Sequence, residues 1–170
     1  MSAKPQPFDP YALLTALERR RVSYILIGSF ARIIEGTEEL THGLDLVPSL
    51  RAENLRRLEL ALHDLDARLA NGKEPALERD LSGQEVLELR TDAGKLKIVP
   101  DPVGTRGGYD DLRRAATREP IGRGLRPSVA SIGDLARMLA ALGREQDVAP
   151  LQQLRTLAEL ERSLIREIER

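Results

Sequence analysis

The sequence predicts an α/β (α+β) fold: a small central mixed sheet flanked by helices, with a helical C-terminal segment. Three observations carry this. Residues 23–48 read as strand, Gly-Ser break, short helix, loop and second strand. Glu85–Arg90 and Lys95–Val99 alternate around Thr91-Asp-Ala-Gly94, a hairpin signature. Several segments repeat leucine at helical spacing.

In chain order, residues 1–9 read as a flexible, Pro-rich tail, and residues 10–170 as a single domain, with a sheet-bearing core to about 130 and helices from 131 to 170. Pro10 suits the first turn of a helix, Leu13, Leu14 and Leu17 give it an apolar face, and Arg19, Arg20 and Arg21 suit its C-terminal dipole. Tyr24–Ile27 is an apolar run of strand length. Gly28-Ser29 interrupts it, and Phe30–Glu35 resumes as a short helix stopped by Gly36. Leu44–Val47 forms the next strand, closed by Pro48.

Leu55, Leu58, Leu62, Leu65 and Leu69 predict an amphipathic helix over 54–70, ended by Asn71-Gly72. Lys73–Gln84 reads as loop with some helix, 101–108 as Pro/Gly-rich loop, Tyr109–Thr117 as helix and Leu125–Ala130 as a short strand. Ser131 and Asp134 resemble a capping box opening a helix through Leu142. A last helix runs from about Ala149 to the C-terminus, with an apolar stripe from Leu151 to Ile168.

Composition narrows the function classes. With 41% hydrophobic and 31% charged residues the chain reads as a folded, soluble protein rather than a disordered one. Aromatics are 3%, too few for base-stacking platforms, and a net charge of -1 argues against strong non-specific nucleic-acid binding. With no cysteine, thiolate chemistry and Cys-zinc sites are excluded. No apolar run is long enough for a membrane span and no signal peptide is evident, so a cytoplasmic location is expected.

Tyr24-Ile-Leu-Ile-Gly-Ser29, Gly43-Leu-Asp-Leu-Val-Pro48 and the hairpin Leu87–Pro100 lie in the order and spacing of a known family, as do Val129–Leu135 and Gly143-Arg-Glu-Gln-Asp147. On these fragments the chain resembles the DNA polymerase β-like nucleotidyltransferase superfamily. More narrowly it resembles the bacterial AbiEii/MenT-type group, which includes toxins of toxin–antitoxin systems. The resemblance implies that Gly28 and Ser29 face nucleotide phosphates at a helix N-terminus; the dipeptide alone fits an ordinary strand-to-helix break better, and the downstream strand reverses that preference. It also implies two carboxylates, one residue apart on the second strand, and a third on the hairpin, together holding the divalent metals that bridge the reacting oxygens.

Here the sequence departs from that pattern. The first position is Gly43, the second is Asp45, and the third is Lys97. A lysine that the family carries on the late helix is Leu139, whose plain reading is core. A unit charge about 4 Å from another is worth roughly 4 kcal/mol at an effective dielectric of 20, and about twice that against a dication. Lys97 would therefore repel the metal its counterpart binds, and an ion pair between Lys97 and Asp45 is expected to close the site.

The implied function is a nucleotidyltransferase-fold protein that has lost metal-dependent transfer, a pseudoenzyme retaining nucleotide, RNA or partner binding. The alternatives are an active toxin-type enzyme moving NMP from NTP to tRNA or another acceptor, with Mg²⁺ required only in that case, and an interaction protein or homodimer acting through its C-terminal helix. Asp45 is the surviving catalytic or metal-ligating candidate, and Gly28, Ser29 and Lys97 are the phosphate-facing candidates. His42, Arg90 and Asp147 are further cleft candidates: His42 as ligand, base or solvated loop residue, and Asp147 as cleft acid or cap of the last helix. Gly104–Gly108 with Arg106 reads as a mobile loop or a phosphate cradle. Arg19–Arg21, Arg51, Arg56 and Arg57 read as solvated helix surface, or as an RNA-facing patch if they converge with Arg90 and Lys95.

Overall fold

A computed structural model describes residues 7–83 and 85–170. Six strands form one mixed sheet in the order β3-β4-β2-β1-β6-β5. Helix α1 (Pro10–Arg19) leads into β1 (Tyr24–Ile27), α2 (Gly28–Glu35) and β2 (Gly43–Pro48). Helix α3 (Ala52–Asp64) and the helical turn α4 (Leu77–Asp80) precede the hairpin β3 (Leu87–Thr91) and β4 (Gly94–Ile98). The helical turn α5 (Tyr109–Leu112), short strands β5 (Thr117–Arg118) and β6 (Ser128–Val129), α6 (Ile132–Leu142) and α7 (Val148–Ile168) complete the chain.

The centre of the sheet is dictated by burial. All four residues of β1 are buried, so it takes a central position, antiparallel to β2 and parallel to β6. β2 alternates: Leu44 and Leu46 are fully buried, whereas Gly43 and Asp45 lie on the opposite, half-open face. β4 joins β2 in parallel register, pairing Asp45 with Lys97 and Leu46 with Ile98. β3 closes the edge antiparallel to β4, which sets Glu88 opposite Lys97. One polar side chain clamps the far end of the central pair. Asn54, buried on α3, accepts from the Ser23 N–H at 2.7 Å and donates to the Ser23 and Ser49 carbonyls at 2.9 and 2.8 Å.

Several expected boundaries are corrected. The helix expected over 54–70 stops at Asp64, because Asp66 takes φ +51° and the Ala67 N–H folds back to the Leu62 carbonyl. Arg68 then leaves the helix and bridges Arg90 through its backbone. The helix expected over 109–117 is only the turn α5, and Thr117 instead opens β5. The strand expected over 125–130 shrinks to β6. Residues 1–6 of the expected tail lie outside the described residues. Phe8 and Asp9 do not belong to a free tail: Phe8 packs edge-on against Phe30 with ring centroids 5.7 Å apart, and Asp9 caps α1 by accepting from the Ala12 N–H. Among the described residues, no helix is long and apolar enough to cross a membrane.

Candidate functional site

The sequence of β1 ends where the chain needs a conformation that side chains resist. Gly28 has φ +77°, and a Cβ there would collide with the Asp45 carboxylate. This lets β1 turn directly into α2, whose first residues carry no side-chain cap. Ser29 is fixed from the other side: its hydroxyl donates to Thr41 Oγ1 at 2.8 Å, and Thr41 donates to the Gly43 carbonyl at 3.0 Å.

Across β2, β4 and β3, Asp45, Lys97 and Glu88 lie side by side on the sheet face opposite the core. This row separates two clefts that share Ser29, Asp45 and Lys97. One, about 400 Å³, is polar and includes His42, Gly43, Glu88, Arg90 and Lys95. The other, about 360 Å³, runs under α6 and is walled by Leu135, Met138, Leu139 and Leu142, with Gly28, Arg32, Asp101 and Arg144 as its polar groups. Basic side chains outnumber acidic ones around the pair of clefts: Arg32, Arg90, Lys95, Lys97 and Arg144 against Asp45, Glu88 and Asp101. Glu39 and Asp147 pair with Arg32 and Arg144 and cancel that excess, so the cationic side is the polar cleft, where Arg90, Lys95 and Lys97 stand.

The expected Lys97–Asp45 ion pair is not formed. Lys97 Nζ lies 3.7 Å from Glu88 Oε1, its antiparallel neighbour, with the Lys97 side chain partly and the Glu88 side chain largely solvated. Asp45 has no ion-pair or hydrogen-bond partner among the described residues. Burial raises its pKa, Lys97, Arg32 and Arg144 pull it down, and Glu88 pushes it up. The physical reason is access: Asp45 is tucked against Gly28, whereas the flexible lysine reaches outward to the sheet edge.

Two arginines that sequence reasoning missed frame the apolar cleft. Arg32 is buried and bidentate to Glu39 at 2.8 and 2.9 Å, with Thr37 donating to the same carboxylate. Burial opposes the charge on Glu39, but hydrogen bonds from Arg32 and Thr37 hold its pKa below the ordinary value. Arg144 donates to buried Asp147 at 2.6 Å. Asp147 thus acts behind the cleft, on the 3-10 turn Glu145–Asp147. It neither lines a cleft nor caps α7 with its side chain. Glu88 was legible in principle, since hairpin register sets it opposite Lys97. Arg144 carries a local signal, since Asp147 lies three residues on in Gly143-Arg-Glu-Gln-Asp147, whereas Glu39 is brought to Arg32 by the loop after α2.

His42 and Arg90 are exposed and line the polar cleft, so both join Asp45. Gly104 packs against the backbone of α6 and Gly104–Gly108 line neither cleft, whereas Asp101, Pro102 and Val103 of the same loop line the apolar one. The basic groups do not converge: Arg19 and Arg20 border a groove with Arg123, Arg51 and Arg57 border another cavity, and only Arg90 and Lys95 reach the cleft.

A divalent metal pair of the kind implied by the resemblance does not fit these residues. Among the described residues, no three acidic or histidine side chains converge to hold an ion. An acid at position 43 also lacks space, because a Cβ there would lie 2.6 Å from the Lys95 carbonyl oxygen of β4.

No protein-family profile matches the sequence, and no curated protein matches it. Solved structures do match. The lincosamide antibiotic adenylyltransferase LnuA, solved with lincomycin bound, shares 15% identity over 89% of this chain and 99% of its own, with a TM-score of 0.60. A candidate nucleotidyltransferase of Thermotoga maritima shares 18% identity over 93% and 91%, with a TM-score of 0.54. The antibiotic-resistance factor ANT(2'')-Ia shares 12% identity over 94% and 92%, with a TM-score of 0.56. Likeness across nearly the whole length of each chain, with the strand–Gly-Ser–helix unit at the centre of the sheet, establishes that this chain has the nucleotidyltransferase fold.

Proposed function

We propose that the protein binds a nucleotide in the paired clefts and no longer performs two-metal nucleotide transfer. The observation that carries this reading is the parallel register of Asp45 with Lys97: an ammonium-bearing side chain stands beside the one carboxylate of β2. The phosphates sit at the N-terminus of α2, beside the Asp45 carboxylate that is tucked against Gly28, where the first-turn N–H groups favour an anion. Lys97 supplies a mobile positive charge at the cleft, and Arg144, though paired with Asp147, adds guanidinium donors, in the role that bound metal has where transfer occurs. The walls from Leu135 to Leu142 exclude water from the apolar cleft and suit an uncharged part of the ligand.

Binding requires local rearrangement. A phosphate oxygen that accepts from the Ser29 hydroxyl takes it from Thr41.

The experiment is calorimetric titration with each NTP, with and without Mg²⁺, beside a label-transfer assay. Total RNA and aminoglycoside or lincosamide antibiotics serve as acceptors, the antibiotics chosen because LnuA and ANT(2'')-Ia are named for such compounds. The expected result is saturable NTP binding insensitive to Mg²⁺, with no transfer to any acceptor. Mg²⁺-dependent transfer abolished by Asp45→Ala would overturn it and favour the active, AbiEii/MenT toxin-type alternative. That second reading has one observation in its favour: Asp45 and Glu88 line the same cleft.

A further inference from the structure

The β3–β4 hairpin sets two charge rows across the polar cleft, and only one of them is balanced. In the first, Lys97 of β4 faces Glu88 of β3, with Nζ 3.7 Å from Oε1. Two residues nearer the turn, Lys95 faces Arg90. Both line the cleft and both are exposed, and neither side chain has an ion-pair or hydrogen-bond partner among the described residues. Like charges directly opposite one another on neighbouring strands destabilise a sheet. On the other side of Lys95 the register places Gly43 of β2, which brings no side chain to offset either charge.

The row is held by backbone. Arg90 exchanges both of its main-chain hydrogen bonds with Arg68, at 2.9 Å each, which covers this point of the sheet edge. Its N–H and carbonyl therefore point away from β4, and Arg90 and Lys95 form a non-hydrogen-bonded pair, the kind whose side chains stand closer. Arg68 adds no spare charge, since its guanidinium pairs with Asp66 at 2.6 Å and lies 3.5 Å from Glu74. Two cations stand side by side on a fixed sheet face within a cleft, an arrangement that an oxyanion completes. The nucleotide reading leaves this row free: it sets the phosphates at α2 and the uncharged part under α6, and Arg90 and Lys95 do not line the apolar cleft.

We infer that the Arg90–Lys95 row is a subsite for a phosphate group of a second ligand, bound beside the nucleotide. That this ligand is the second one rests on the nucleotide reading; the unbalanced row does not. A phosphodiester of a nucleic-acid strand and a phosphate monoester on a small molecule share this chemistry.

The test is an NMR titration of the full-length, ¹⁵N-labelled chain at constant ionic strength, with inorganic phosphate and, separately, with an oligoribonucleotide lacking a terminal phosphate. Saturable shifts of the Arg90 and Lys95 amides are expected, with affinity lowered about fivefold or more in Arg90→Gln and in Lys95→Gln. Both variants should have urea midpoints equal to or above that of wild type, because each removes half of a like-charge pair. Arg162→Gln, at an exposed position of α7 outside both clefts, should bind as wild type does. No shift at these amides with either probe, equal affinity in wild type and both cleft variants, or an equal loss in Arg162→Gln would overturn the subsite. ATP alone moving the Arg90 and Lys95 amides would also overturn it, since the row would then belong to the nucleotide. Phosphate shifts that persist in a chain that fails to bind any NTP would support the subsite and remove the nucleotide reading. Oligoribonucleotide binding with the same variant dependence would support it with a nucleic-acid strand as the source, and binding of inorganic phosphate alone would support it with a small phosphorylated ligand.

Discussion

Replacing Lys97 by aspartate should create a divalent-metal site. The change turns the row Asp45–Lys97–Glu88 from one cation between two acids into three acids, and moves the local charge by two units. A dication about 5 Å from a unit charge gains only about 1.7 kcal/mol even at the dielectric of water, so two units give roughly 3 kcal/mol, or about a hundredfold in affinity. Lys97 is partly solvated, so the water-like limit is the appropriate one. Mn²⁺ binding followed by electron paramagnetic resonance should show weak or no binding in wild type, and a site in Lys97→Asp that Asp45→Asn removes. Lys97→Met should fall between the two. The apo variant should be somewhat less stable, because like charges then stand on adjacent strands. If wild type binds Mn²⁺ as tightly as a folded Lys97→Asp protein, Lys97 does not set metal affinity and the electrostatic argument fails.

Other consequences can be measured alongside. Asn54→Ala removes three hydrogen bonds joining α3 to the ends of β1 and β2, and should cost about 2–4 kcal/mol in urea unfolding; a change below half a kcal/mol would show that water replaces the amide. Gly28→Ala should cost at least roughly 1–2 kcal/mol from its positive φ and should also weaken NTP binding by displacing Asp45, so an unaffected titration would argue against phosphate at this turn. Glu35 has a buried Oε1 without a hydrogen-bond partner among the described residues, and burial, with Glu119 and Glu161 nearby, pushes its pKa up to about 7. Because the folded pKa is raised for an acid, the native state holds the extra proton, and stability should fall as pH rises from the ordinary carboxylate range to about 7, then level off. Glu35→Gln should flatten that fall, and an identical pH profile of the urea midpoint would refute the assignment.

Much of this architecture was legible because the decisive elements advertise themselves locally. β1 is a continuous apolar run cut by Gly28-Ser29, β2 alternates around Asp45, and Thr91–Gly94 joins two alternating strands. The helix α3 was over-extended because Leu65 and Leu69 continue its apolar period after the backbone has turned at Asp66. Periodicity reports which side chains meet the core, not whether the chain is still helical. In the site, register placed Lys97 beside Asp45, but register does not orient a long side chain. Glu88, on the other flank of β4, was the more accessible partner. Arg32 has no local sequence pattern, because Glu39 is brought to it by the loop after α2, whereas the Arg144–Asp147 pair is written in the three-residue spacing of Gly143-Arg-Glu-Gln-Asp147.

The close fit of Gly43 against the Lys95 carbonyl has a historical consequence. If an ancestor carried an acid at this position, its loss let β4 settle into space that a side chain had held. A later single substitution cannot simply reverse that step, since the returning carboxylate would meet backbone rather than a movable side chain. Reversion would first need a change that slides β4 outward, and such a change has no benefit until the acid follows. In that case, packing at one glycine would act as a ratchet on the path of the cleft.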